Sequence, residues 1–215
     1  MATKKKSEQA VVEIPAIDIR NAVIHVVGDT PLIMHKWSEK AKKEILDKQM
    51  KVAKTKGHDV KDPVADFVDT IYFIDGEPKE KTEEAFVEAI KNGARIGFPA
   101  TAFKQCAIMG ASRAGIDIKA TVMRSAFHIN TELVEIKGDV AMREDMVKVG
   151  GISKVADIRY RAAVKNWSAN IPVKYNAGVL TLGQLVNLFN LGGFGCGVGE
   201  WRTERDGVFG SFHVE

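Results

Sequence analysis

The chain has 215 residues, 45% of them hydrophobic and 27% charged, which is enough apolar surface for one domain with a sizeable core and rules out a disordered protein. No apolar run approaches the roughly 20 residues of a membrane helix, and Met1-Ala2-Thr3-Lys4-Lys5-Lys6 lacks the apolar stretch of a secretory leader. Cys106 and Cys196 alone are too few for a structural zinc site and suit reduced thiols, so the expectation is a cytoplasmic protein without metal, cofactor or membrane contact.

Residues 1–10 are polar and basic and predict a disordered lead, followed by a single domain over 11–215. Ile17 to Val27 reads as a strand from its β-branched content and ends in the turn formers Gly28-Asp29-Thr30-Pro31. Ser38 is a plausible N-cap for a lysine-rich helix from Glu39 to about Lys54, whose cations could face phosphate or simply water. Thr55 to Asp62 is a polar loop, and Phe67 to Ile74 reads as a strand entering an Asp75-Gly76 turn. Lys81 to Asn92 has the apolar spacing of a short amphipathic helix stopped by Gly93. Ala94 to Pro99 is extended, and Ala100 to Arg113, small and apolar nearly all round, predicts a buried helix.

Strand signals resume at Thr121 to His128 and again at Glu132 to Ile136, before a Lys137-Gly138-Asp139 turn. Residues 139–156, with Gly150-Gly151 in the middle, fit a projecting hairpin or loop. Asp157 to Trp167 alternates with period two, setting Arg159, Arg161 and Lys165 on one face and Ile158, Tyr160 and Val164 on the other. Thr181 caps an apolar helix to Asn190, and Val208 to Val214 is a closing strand.

The sharpest motif is Leu191 to Arg202, where five glycines (Gly192, Gly193, Gly195, Gly197 and Gly199) fall within eight positions after a helix. No Gly-Lys-Ser/Thr follows, and the helix-before-glycine order is the reverse of a dinucleotide fingerprint. The plainer reading is a tight connection with several residues at positive φ; the functional one is a set of amides that converge on phosphate, or a close approach between chains. Catalytic signatures are weak. The histidines His25, His35, His58, His128 and His213 sit at no ligand spacing, and His25 and His128 read as core or sheet residues. His35, beside Lys36 and Trp37, is better placed to stack on a base or to act in acid-base work. Aromatic-basic neighbours recur at Lys36-Trp37, Phe103-Lys104, Lys165-Asn166-Trp167 and Trp201-Arg202, a pairing that suits single strands whose bases stack while cations meet phosphate.

The order of elements, a Pro99-Ala100-Thr101-Ala102-Phe103-Lys104 turn opening a helix that ends in Arg113, and the glycine-rich segment after the last helix resemble the RAMP superfamily of CRISPR RNA-binding proteins, closest to its backbone-forming subunits. That resemblance implies an α+β fold of two successive ferredoxin-like (RRM-like) halves, an antiparallel sheet with covering helices, and a projecting thumb-like hairpin, here roughly residues 139–156. It also implies single-stranded RNA as partner in a prokaryotic host, head-to-tail assembly into a helical filament, and further subunits of a nucleoprotein complex as companions, while the residues themselves leave RNA or DNA undecided. Summed contacts along a polymer would let a chain of net charge +3 bind well. The expected contacts are Lys36, Trp37, Lys104, Arg113, Arg143, Lys148, Lys154, Arg159, Arg161, Lys165, Gly193, Gly195, Gly197, Trp201 and Arg202. The resulting expectation is a sequence-nonspecific single-strand binder that is not an enzyme. The competing readings are a RAMP-type endoribonuclease using His35 with Asp29 as helper, and a structural self-assembling phage subunit.

Overall fold

The computed structural model describes residues 16–51, 61–149 and 155–215, so the expected disordered lead, most of the polar loop and the hairpin tip with Lys154 lie outside the described residues. In chain order the strands are β1 (Ile19–Gly28), β2 (Leu32–Met34), β3 (Tyr72–Asp75), β4 (Arg95–Pro99), β5 (Phe127–Ile129), β6 (Leu133–Val149), β7 (Val155–Asn176) and β8 (Phe212–Val214). The helices are α1 (Glu39–Gln49), α2 (Pro63–Asp69), α3 (Glu83–Lys91), α4 (Ala100–Arg113), α5 (Ala120–Ala126) and α6 (Leu182–Gly195), with a 3-10 turn at Thr203–Arg205. The protein is α+β, with a curled antiparallel sheet in the order β3-β4-β6-β7-β1-β8.

Strand β7 is the spine. One edge pairs with β6 and then β5; the other pairs with β2 at Ala162–Val164 and then with β1 from Ser168 to Asn176. The exchange of partners falls around Asn166, at φ 49°, where the strand bends. The β6–β7 pairing runs on from Asp139↔Lys165 to Val149↔Val155, and past β2, from Arg143↔Arg161 outward, it is a two-stranded ribbon. The predicted Lys137-Gly138-Asp139 turn is instead a bulge inside β6, where the register shifts between Lys137 and Asp139. A Cβ at Gly138 would come within 2.7 Å of the Lys165 carbonyl oxygen, so the bulge is built on close backbone approach.

Three local expectations are corrected. Phe67 to Thr70 is not strand: Asp62 caps α2 by accepting from the Val64 and Ala65 amides, Pro63 starts it, and only Tyr72–Asp75 is extended. Thr121 to Ala126 is helical because Met123 and Ala126, three apart, both bury beside α4, and the strand is confined to Phe127–Ile129. The last helix does not stop at Asn190 but runs through Gly192 and Gly193 to Gly195. Tertiary packing overrides the poor helix propensity of those glycines, since α6 lies directly on α4. A Cβ at Gly110 would sit 2.5 Å from the Gly192 Cα, and one at Gly193 would sit 2.0 Å from the Phe212 carbonyl oxygen. The aromatic core between helices and sheet joins Phe103, Trp167 and Phe212 at ring separations of 5.8–6.4 Å. Among the described residues no helix is long and apolar enough to cross a membrane.

Candidate nucleic-acid interface

After β2 ends at Met34, the chain His35-Lys36-Trp37-Ser38 turns away from the sheet. On that side β7 is paired only from Ala162 onward, and its residues 155–161 have no strand partner there among the described residues. Thr70 closes the inner end of the gap: its hydroxyl accepts from the Ala162 amide and donates to the Phe67 carbonyl, while its own carbonyl accepts from the Lys36 amide. The result is a crook of about 320 Å³ between the base of the ribbon and α1–α2, where the cations Lys36, Lys61, Arg159 and Arg161 face the acids Glu44, Asp66, Asp69 and Asp157, with Trp37 and Tyr160 beside them in the lining.

Charges in the crook are largely balanced. Asp157 lies below the ordinary carboxylate range, first because Lys61 donates to it at 2.8 Å and then because Arg159 lies at 3.3 Å. Lys61 also donates to the Ile158 carbonyl, and Lys81 pairs with Asp69. Arg161 is different. It is 5% exposed, its Nη1 reaches Asp145 Oδ2 at 3.2 Å, and its Nε has no hydrogen-bond partner. Arg143 donates to the other oxygen of Asp145 at 2.7 Å and lies over the Phe209 ring, so one buried carboxylate holds two guanidiniums. A buried donor without an acceptor is costly, and a cationic one more so. Beside it the Trp37 ring is 63% exposed.

His35 borders this crook and also a second cavity of about 340 Å³, bounded by the start of α4 and the segment after α6. Ile33, Tyr72, Phe98 and Met109 give the second cavity apolar walls. His35 Nδ1 stands 3.7 Å from Glu200 Oε1, and this contact holds Glu200 below its ordinary value against the opposing effect of burial. Burial pushes the Tyr72 hydroxyl up, with Glu200 adding to the shift. Arg202 binds Glu204 Oε2 at 2.9 Å and the Gly199 carbonyl at 3.3 Å, and Arg113 takes the other Glu204 oxygen at 2.9 Å. Burial also raises both thiols, Cys106 and Cys196.

Of the expected contacts, Lys36, Trp37, Arg159 and Arg161 meet in the crook and Arg202 lines the adjoining cavity. Lys148 and Lys165 are exposed on the ribbon and at its root. Others are placed elsewhere. Lys104 turns to the Arg124 carbonyl and the Phe127 ring, where burial lowers it, and Arg113 is held by Glu204. The expectation of convergent glycine amides is overturned. Gly193 is buried within α6 and Gly195 is an ordinary helical residue. The Cys196 and Gly197 amides donate to Gly192, Val198 to Gly210 and Glu200 to Ile33, so these donors are already spent on the chain itself. Of the four aromatic-basic pairs only Trp37 and Trp201 keep exposed rings; Phe103 and Trp167 are wholly buried, with Trp167 Nε1 donating to the Thr30 carbonyl. Trp201, at φ 53°, is 44% exposed but lines neither cavity.

His25 and His128, read as core or sheet histidines, are exposed or half-exposed, and His25 contacts Asn170. Asp29 pairs with His213 at 2.7 Å, not with His35. The convergence of His35, Tyr72 and Glu200 has no signature in spacing, because these residues stand far apart in the chain and meet only through β2, β3 and the segment after α6. Phe194, 85% exposed within the glycine run, was likewise hidden in what reads as a loop. Among the described residues no cluster of His, Cys, Asp and Glu could hold a metal ion. The chain matches no protein-family model and no curated protein.

Proposed function

We propose that this protein binds single-stranded nucleic acid in the crook beside the ribbon, and that it coats the strand head-to-tail as a distant member of the RAMP lineage. The observation that carries the reading is Arg161: a buried guanidinium at the wall of the crook, whose Nε has no acceptor among the described residues, in a cavity that also carries the exposed Trp37. A phosphate in the crook would be drawn by the guanidinium charge and would reach Nε, which is closed to solvent, only if Arg161 moves outward, and a base would cover the Trp37 ring, a stack worth about 1–3 kcal/mol. Lys36, 3.9 Å from Glu77, and Arg159, 3.3 Å from Asp157, add flanking cations, and residues 155–161 of β7 pair with no strand on the crook side among the described residues.

The balance of charges in the crook makes each subunit a modest binder, so useful affinity comes from repetition along a polymer. The ferredoxin-like reading of the two halves is supported by the antiparallel sheet order and by helices packed on it; the RAMP reading is supported by the Pro99-opened helix α4 lying against the glycine-bearing helix α6. An RNA-cleaving alternative keeps His35 but replaces Asp29 with Glu200 as the carboxylate beside it.

Fluorescence anisotropy with labelled U30 and dT30 at low salt tests the proposal, with electron microscopy of the mixtures for filaments. Saturable binding to either strand is the expected result. Absence of binding to both at low salt refutes it, and fragments that vanish on His35→Ala would favour the cleaving alternative.

A further inference from the structure

The proposed strand binding is indifferent to sequence, but the cavity next to the crook is not chemically indifferent. Ile33, Tyr72, Phe98 and Met109 give it an apolar side, and its volume of about 340 Å³ is at the small end of ligand sites. Its other walls are polar and charged, formed by His35, Gln105, Glu200, Arg202, Glu204 and Arg205, with Arg202 and Glu204 paired to each other. Glu200 engages His35 through Oε1, with Arg161 and Arg202 as further cations acting on it, and Oε2 makes no hydrogen bond or ion pair among the described residues. The Tyr72 hydroxyl and the Gln105 side-chain amide, at the rim, are also without hydrogen-bond partners there. A half-exposed carboxylate kept ionised by an adjacent imidazole is an acceptor for two parallel N–H donors.

We propose that this cavity is a base pocket selective for guanine, with the Glu200 carboxylate receiving the guanine N1–H and N2–H donors. Guanine is the one standard base that presents two adjacent donors on its Watson–Crick edge. Adenine and cytosine place an acceptor beside their single amino group, and uracil flanks its one N–H with carbonyls; each of these would set a lone pair against the carboxylate. Tyr72 and Gln105 can donate to the remaining acceptors of the ring, and Phe98 with Tyr72 supplies the apolar and aromatic wall that a splayed-out base of a single strand requires. His35 borders both spaces, so a strand whose backbone lies in the crook passes the mouth of the pocket.

The inference rests on the strand-binding reading, and the test separates the two. Labelled U12, U12 with one central guanine and U12 with one central adenine are titrated against wild type and Glu200→Gln, with calorimetry of 5′-GMP and 5′-AMP as a second arm. The expected result is that the guanine strand binds about tenfold or more tighter than the adenine strand, and that Glu200→Gln reduces that ratio to about one. Circular dichroism checks that the variant is folded, and Gln105→Ala at the exposed rim gives a second variant expected to narrow the ratio. Equal affinity of wild type for the two strands overturns the pocket while leaving strand binding intact. If no strand binds, the strand-binding reading fails, and the mononucleotide arm then decides the pocket: equal or absent heats for GMP and AMP overturn it.

Discussion

Two glycines three residues apart in one helix should respond oppositely to the same methyl group. At Gly192 a Cβ would stand 2.8 Å from the Cα and N of Ala107, short of ordinary contact at 3.4–4 Å by about 0.6–1.2 Å. The obstructing atoms are backbone, so α4 and α6 must separate rather than a side chain rotate. Cys106, Ala107, Leu188 and Phe189 would lose contact in doing so, and overpacking of this kind costs about 1–3 kcal/mol. For a chain of this size that is a fall of about 2–12 °C in melting temperature. At Gly195 a Cβ meets nothing within 4 Å and the backbone is not at positive φ, so Gly195→Ala should raise stability by up to about 1 kcal/mol through helix propensity and unfolded-state entropy. Thermal unfolding of wild type, Gly192→Ala and Gly195→Ala, followed by far-ultraviolet circular dichroism, measures both. The packing argument is refuted if Gly192→Ala melts with wild type, or if Gly195→Ala falls as far as Gly192→Ala.

Trp37→Ala, at a ring 63% exposed, should leave the melting temperature nearly unchanged and weaken binding to U30 and dT30 alike by about 5- to 100-fold in anisotropy titrations. Arg159→Gln should shallow the salt dependence of binding by about one unit of slope, whereas Arg161→Glu would set a second buried carboxylate against Asp145 and is expected to lose the fold, visible as a lost unfolding transition. Glu200 has its folded pKa depressed below the unfolded value, so its contribution to stability is present above that value and is lost as pH falls through the folded pKa. Melting temperatures measured between pH 5 and about pH 3 should therefore fall more steeply in wild type than in Glu200→Gln. Cys106 and Cys196 are buried with raised thiol pKa, so a thiol reagent at neutral pH should label both slowly in the folded protein and promptly in denaturant.

Much of the scaffold follows from local chemistry that can be read along the chain. Ile17 to Val27, the buried run from Ala100 to Arg113 and the Thr181 start of the last helix carry their own periodicity and caps, and they appear as β1, α4 and α6. The misreadings have one cause. Phe67-Val68 and the glycines after Asn190 look like strand and loop by residue type, yet the first pair is wound into a helix by the Asp62-Pro63 start. Gly192 is held in the helix where only a residue without a side chain fits against α4, and Gly193 where the backbone of Phe212 in β8 comes equally close. Local preference amounts to fractions of a kcal/mol per residue, and a close helix–helix contact outweighs it.

The candidate site divides along the same line. Residue types and neighbours along the chain were sufficient to single out Lys36-Trp37 and the Arg159/Arg161 strand, which the structure brings to one cavity. They could not show that Arg161 would be buried with one idle donor, that Lys104 and Arg113 would be consumed by contacts within the fold, or that His35, Tyr72 and Glu200 would share a cavity. Those outcomes depend on which atoms lie within a few ångströms across strands and helices distant in the chain. Burial, charge pairing and the satisfaction of polar groups are properties of that three-dimensional neighbourhood, and no linear spacing encodes them.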